Sequence, residues 1–171
     1  MTRATGPLFD VHFRRRREGR TNYGSRLALL KGKTPRLVIR KLNKGVLVQL
    51  VEYSEKGDRT ICQASNFDLK QFNFTAKRNV PSAYLIGFII GKKALAKKVT
   101  RFIPDFGLHT ASKGGVLFAV VKGAVDAGLA TKLDEAKLPS KDRINGKHIG
   151  IDISQVIEKI KETAFNVKEK V

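Results

Sequence analysis

Arg14-Arg15-Arg16-Arg17 are followed by Arg20 and Arg26 in this chain of 171 residues. Four adjacent guanidinium groups cannot all be buried, because each buried charge needs a partner. A guanidinium fork pairs bidentately with phosphate and stacks on flat rings, so the chemistry on offer is anion binding, with phosphate the best geometric match. Phe13 and Tyr23 flank the run. They either stack on unpaired nucleotide bases or anchor the segment to a folded body. A solvated charge run is the plainer alternative, yet these arginines sit among aromatics and turn formers, not in low-complexity sequence.

Residues suited to catalysis are scattered. His12, His109 and His148 form neither H-x-x-x-H nor H-E-x-x-H. His109 follows Gly107-Leu108 and reads as a hydrogen-bonded loop residue. The single Cys62, between Ile61 and Gln63, reads as a packed thiol. One cysteine excludes an internal disulfide framework and a cysteine-based zinc site. Asp105 and Asp126 are the candidate pair for metal-dependent phosphodiester chemistry. A two-metal nuclease needs several convergent carboxylates, and the first predicted strand supplies none, the second only Glu52. Asp126 therefore reads as a partner for nearby basic side chains. Lys113-Gly114-Gly115 stands before a helix and offers backbone amides to a phosphate, although no G-x-x-x-x-G-K-[ST] occurs. Nothing here calls for a metal or cofactor.

The charge balance agrees with the arginine run. Thirty-four Lys and Arg oppose fifteen Asp and Glu, a net +19. Residues 1–44 hold thirteen basic and two acidic side chains, so +11 of the excess lies in the first quarter. Such an excess repels itself unless a polyanion neutralises it, which makes nucleic acid the leading partner class and an anionic membrane surface the second. The longest apolar run, Leu85–Ile90, is broken by Gly87 and stopped by Gly91-Lys92-Lys93, too short to span a bilayer. The N-terminus lacks the apolar stretch of a secretory signal, and the expectation is a soluble, cytoplasmic chain.

The elements that must position these residues follow from periodicity. Hydrophobic content of 42% suffices for a core. Met1–Tyr23 reads as an arm without period. Ser25–Lys31 predicts a brief helix. Arg36–Leu42 predicts a strand in which Leu37 and Ile39 alternate with Arg36, Val38 and Arg40. Asn43-Lys44-Gly45 is a hairpin turn, and Val46–Tyr53 the next strand, apolar on both faces and therefore central. A turn at Ser54–Asp58 leads to a third strand, Arg59–Ser65, completing an antiparallel meander. Pro81-Ser82 precedes a predicted helix that runs to about Lys98, its apolar residues mostly on one stripe. Its Gly87 and Gly91 share a face and imply close approach of a strand or an RNA backbone. A short strand, Arg101–Asp105, and a helix, Val116–Gly128, closed by Gly128, follow. Leu129–Gly150 reads as irregular, and Ile153–Phe165 as a last amphipathic helix. The fold class is α/β: a mixed sheet of an antiparallel meander plus one crossover parallel strand, with packed helices. The domain reading is a basic arm at 1–24, an α/β body at 25–130, and an irregular segment with a helix at 131–171.

Several segments resemble a known family. Phe13-Arg14-Arg15-Arg16-Arg17-Glu18-Gly19-Arg20-Thr21-Asn22-Tyr23 is similar to the arm of archaeal large-subunit ribosomal protein eighteen, whose eukaryotic counterpart is large-subunit protein five. Pro35–Lys41 is similar to its first strand. Ala83-Tyr84-Leu85 with Gly91-Lys92-Lys93-Ala94-Leu95 is similar to its long helix. Asp105-Phe106-Gly107-Leu108-His109, Lys113-Gly114, Lys122–Leu129 and Arg143–Ile149 resemble its second half. Five such motifs in order, across about residues 5–150, are specific together. Gly24, Ser25 and Val116 depart from the family pattern, and no contact is carried to them.

The resemblance implies a ribonuclease H-like motif without catalytic carboxylates, no enzymatic activity, and a structural role in the large ribosomal subunit. It implies binding of 5S ribosomal RNA (5S rRNA), contact with the large (23S) rRNA, attachment of 5S rRNA in the central protuberance, and universal large-subunit protein five as a neighbour. On that reading Arg14, Arg15, Arg16, Arg17, Arg20 and Arg26 neutralise phosphates. Asn22 and Tyr23 pin the arm beside unpaired nucleotides. Arg36, Arg40, Lys41, Asn43 and Lys44 extend the surface across one side of the sheet. Lys92, Lys93, Lys113 and Lys147 are further candidates that serve equally as solvated faces. The competing functions are a nucleic-acid-processing enzyme on the same fold and a general chromatin or membrane-surface binder.

Overall fold

The structure is a computed structural model that describes residues 6–150 and 153–163. Two short helices come first, α1 (Arg14–Arg17) and α2 (Tyr23–Lys31). Three strands follow, β1 (Arg36–Lys41), β2 (Val46–Glu52) and β3 (Arg59–Ser65). A 3₁₀ turn at Asp68–Phe72 leads into α3 (Val80–Ala96), then β4 (Ile103–Asp105) and α4 (Val116–Asp126). Two further helices, α5 (Lys141–Asn145) and α6 (Ser154–Glu162), complete the described chain.

The sheet order is β3-β2-β1-β4. β1 pairs with β2 and β2 with β3 in antiparallel fashion, whereas β4 runs parallel to β1. The expected meander with a parallel strand returned by a helical crossover is therefore present. β4 is shorter than expected: Arg101 makes only an isolated parallel bridge to Ala130. A strand needs a neighbour to pair with, and β1 is available to β4 only from Arg36 to Val38.

One face of the sheet packs on α3 and α4. Leu37, Ile39, Val48 and Leu50 from the sheet join Leu85, Ile86 and Ile89 of α3 and Val120 and Ala124 of α4 in one apolar cluster. The expected single stripe on α3 is corrected. Every residue from Val80 to Gly91 is buried, because sheet, α4, α5 and α6 all contact this helix. A helix covered all round needs no polar face. Its lysines come only in the last turns. There Lys93 Nζ donates to Gln63 O and Lys97 Nζ to Ile61 O, so the exposed edge of β3 is capped by cations. Blocked carbonyls on an edge strand discourage pairing with another chain.

Gly87 and Gly91 approach a helix, not a strand or RNA. A Cβ on Gly87 would overlap the Val120 carbonyl oxygen, and one on Gly123 the Tyr84 carbonyl oxygen. A Cβ on Gly91 would stand 2.5 Å from Ala127 Cβ. The glycines thus let the backbones of α3 and α4 touch. That contact offsets the roughly 1 kcal/mol each costs in a helix relative to alanine.

The expected helix end at Gly128 is seen with α4 finishing two residues earlier. Leu129 N donates to Ala124 O and Gly128 N to Val125 O, with Gly128 at φ +114°. This is a Schellman closure, which demands a left-handed residue. Residues 129–150 are less irregular than expected. They hold α5 and two 3₁₀ turns, at Glu135–Lys137 and Lys147–Ile149. Five- and three-residue elements are too short to show a period in sequence. α6 buries Val156 and Ile160, and Ile153 is buried just ahead of it; Phe165, placed in this helix by the sequence, lies outside the described residues.

Candidate nucleic-acid interface

The second face of the sheet carries the even residues of β1: Arg36, Val38 and Arg40. The expected alternation there, apolar in and basic out, is corrected, since Arg36–Ile39 are all buried. α2 runs beside this face, with Gly32 packed on the Ile103 side chain. α2 begins at Tyr23, two residues earlier than expected, because Asn22 caps it: Asn22 Oδ1 accepts from Ser25 N at 3.1 Å. A cap of this kind satisfies a helix-end amide. Asn22 is thus committed to helix geometry, and helix α2 spans the expected arm boundary at residue 24.

Beneath α2 lies a ladder of alternating charges. Arg26 Nη2 donates to Asp58 Oδ2 at 2.8 Å, and Arg36 Nη2 to the same oxygen at 2.7 Å. Arg36 Nη1 donates to Asp105 Oδ2 at 2.9 Å. Arg40 Nη1 donates to the Asp105 carbonyl at 3.0 Å, and its guanidinium lies over Gly107. Arg36 is only 4% exposed. A buried cation demands paired carboxylates, and Asp58 and Asp105 are those carboxylates. This corrects the placement of Arg36 on an open basic surface: it is an internal brace. Asp105 and Asp126 are likewise taken. Asp126 accepts from Lys122 at 2.8 Å and from the Tyr84 hydroxyl at 3.0 Å. Burial first, then the Asp126 charge, pushes the Tyr84 hydroxyl well above the ordinary phenol range.

Above the ladder the arm closes a cleft of about 510 Å³, lined by Arg15, Arg20, Arg26, Arg36, Arg40 and His109 among others. The arm is a shaped segment. Arg14–Arg17 form one helical turn, Arg15 Nε donates to Thr21 Oγ1 at 2.8 Å, and Glu18 pairs with Arg14 and Arg20. Phe13 and Tyr23 pack on each other, ring centroids 5.4 Å apart. The contact ties the start of the arm to the first turn of α2, and both rings stay exposed. Arg16 and Arg17 are exposed and make no ion pair among the described residues. His109 Nε2 accepts from Lys41 N at 3.2 Å, which requires a neutral ring. Burial, then Lys41 and Arg40, lower its pKa below the ordinary 6.5.

The remaining candidates are spread. Lys41, Asn43 and Lys44 are exposed at the β1–β2 turn. Lys92 lies over the Phe88 ring at 5.8 Å. Lys93 pairs with Asp68, and Lys147 with Asp142 at 3.0 Å. Lys113 is exposed ahead of α4, and Gly114 N donates to Lys137 O. Burial pushes the Cys62 thiol up to about 11, with Lys97 and Lys93 partly opposing, so it stays protonated at neutral pH. No group of three or more His, Cys, Asp or Glu residues suited to a metal ion occurs among the described residues. No helix among them is long and apolar enough to cross a membrane. The residues that sequence reasoning missed are Asp58, Thr21 and the structural half of Asp105. Their partners are 22 to 69 positions away in the case of Arg36, beyond any local signal.

A mixed α/β domain that gathers guanidinium groups round one cleft, with its buried carboxylates already neutralised, has the build of a polyanion-binding protein. Comparison with known sequences narrows that class. Residues 8–102 match the family model described as "Ribosomal large subunit proteins 60S L5, and 50S L18". Three archaeal relatives carry the name "Large ribosomal subunit protein uL18". That of Caldivirga maquilingensis is 47% identical over 148 residues, 85% of this chain and 72% of the relative. That of Methanoregula boonei is 39% identical over 171 residues, 98% of each chain. That of Haloferax volcanii is 45% identical over 164 residues, 95% of this chain and 89% of the relative. The chain belongs to this family of large-subunit ribosomal proteins, and it is a structural constituent of the ribosome.

Proposed function

We propose that the protein binds 5S rRNA, contacts 23S rRNA, and holds 5S rRNA in the central protuberance beside universal large-subunit protein five, without catalysing a reaction. The observation that carries this reading is the shaped arm: Arg16 and Arg17 exposed on a helical turn, tied back through Phe13–Tyr23 and Arg15–Thr21 above a basic cleft. Arg14, Arg15, Arg16, Arg17, Arg20 and Arg26 meet phosphates, Tyr23 lies beside unpaired nucleotides, and Arg40, Lys41, Asn43 and Lys44 continue the surface. Arg36 positions its neighbours from inside and Asn22 sets the angle of α2. Lys92, Lys113 and Lys147 are outlying contacts, and Lys93 serves chiefly to cap β3. Folded RNA with loops and bulges suits such a surface better than a duplex sequence code, since RNA helices are read through shape and backbone. The meander extended by a parallel strand supports the ribonuclease H-like reading of the sheet.

The test is capture from total RNA at about 0.3 M salt, where non-specific phosphate binding is much weakened, with sequencing of the retained species. Enrichment of 5S rRNA over transfer RNA is expected. Equal retention of all RNAs would overturn the assignment and favour a generic polyanion binder.

A further inference from the structure

A second concavity, of about 920 Å³, opens at the other end of the sheet between the β1–β2 turn and the loop that follows β3. Its wall is mainly apolar: Leu42, Val46, Leu47, Phe67, Phe74 and Ala76. Phe67 is 75% exposed. Its ring is held from one side by the Lys70 ammonium, 5.2 Å from the centroid. The loop beneath is braced, since Asp68 Oδ2 accepts from Ser65 N at 2.8 Å and Phe67 N donates to Ser65 Oγ at 3.3 Å. A rigid, exposed ring costs little entropy to cover.

The charges on its rim state what would cover it. Lys44 and Lys70 line the groove, and no carboxylate does, so an anionic occupant is favoured. Asn66 Oδ1 accepts from Val46 N at 2.8 Å, which ties the loop after β3 to the β1–β2 turn and sets the shape of the groove. An occupant that covers Phe67 beside these two ammonium groups combines a flat apolar face with negative charge nearby. Those are the properties of a nucleotide.

We propose that this groove takes an unpaired nucleobase of rRNA, stacked on Phe67 with its phosphate toward Lys44. The inference rests on the rRNA-binding reading above. It extends the contact surface from Lys44 in the β1–β2 turn to Phe67 and Lys70, which the sequence reading did not single out.

The experiment compares wild type, Phe67→Leu and Lys44→Ala for binding to 5S and 23S rRNA transcribed in vitro, each over a salt series. Leucine keeps the apolar surface and removes the stacking face. Phe67→Leu is expected to weaken binding to one of the two RNAs about tenfold, the loss of a single base stacked on an aromatic ring. Its salt slope and melting temperature should match wild type. Lys44→Ala should lower the slope for the same RNA by about 0.7–0.9, the value of one phosphate contact. Phe67→Leu binding both RNAs as wild type does would overturn the groove assignment alone. Wild type binding neither RNA would overturn both readings. Unchanged RNA binding together with chemical cross-links from Lys44 and Lys70 to a neighbouring protein in the assembled subunit would assign the groove to a protein partner instead.

Discussion

Arg36 and Asp105 form a buried ion pair between β1 and β4, Nη1 to Oδ2 2.9 Å. It joins the first strand of the sheet to the last by side chains where the backbone pairing is only three residues long. Asp105 is one of the two carboxylates whose type suggests metal-dependent phosphodiester chemistry. In the fold it is a counter-ion, and its Oδ1 accepts from Gly107 N at 2.8 Å as well.

Asp105→Ala leaves the buried Arg36 with Asp58 as its remaining carboxylate and Nη1 without its acceptor. The protein should be destabilised by about 2–3 kcal/mol. Urea unfolding with unchanged m-value is the measurement. A loss below about 1 kcal/mol, the usual worth of an exposed pair, would show that Arg36 finds water or another acceptor.

The α3–α4 contact predicts a sharp dependence on one methyl group. Gly87→Ala and Gly123→Ala should each cost about 2–3 kcal/mol through overpacking, despite alanine's better helix propensity. Gly24→Ala is the control, because its Cβ would meet only Asn22 Oδ1 at 3.5 Å. It should be neutral or stabilising. Equal effects at all three positions would mean that the helices can separate cheaply.

The arm makes a separable contribution to affinity. α1 buries no residue, so replacing Arg14–Arg17 by alanine should leave the melting temperature of the body unchanged. The slope of log K against log salt for 5S rRNA should flatten by about three, at 0.7–0.9 per phosphate contact. A preserved slope would remove the arm from the interface.

His109 predicts a pH dependence of stability. Its folded-state pKa lies below 6.5, so on acidification the unfolded chain takes up the proton first. Stability is then full above about pH 6.5 and falls as the pH drops toward the lowered folded value. Melting curves between pH 7.5 and 5.5 should show the fall in wild type and a smaller one in His109→Gln, where a neutral amide oxygen replaces Nε2. Parallel curves for the two proteins would place the responsible proton elsewhere.

Much of this molecule was legible before folding. The three meander strands were readable to within a residue because alternation and turn residues are local properties. The arginine run was readable because four adjacent charges cannot be hidden. Helix caps were only partly legible. Asn79 caps α3, yet the sequence reading starts the helix only after Ser82, when α3 begins at Val80. The resemblance implies a binding role for Asn22, and its capping of α2 through Ser25 N is a second role that the sequence reading did not assign. The short elements after Leu129 left no trace, since one turn of helix shows no period.

The sequence alone determined the net charge, its concentration in the arm, the order of strands and helices, and the family motifs. Each depends only on residue types and near-neighbour spacing. The tertiary structure decided which arginines are surface and which are braces. Arg36 and Arg40 are four apart on one strand and identical in chemistry, but Asp58 from a turn and Asp105 from β4 converge on Arg36 and bury it. Likewise Gly87 and Gly123 acquire their purpose only when α3 meets α4, and Phe67 its groove only when the β3 loop folds against the β1–β2 turn. Burial and charge pairing depend on contacts between residues far apart in the chain, and those exist only after the sheet and helices have closed on one another.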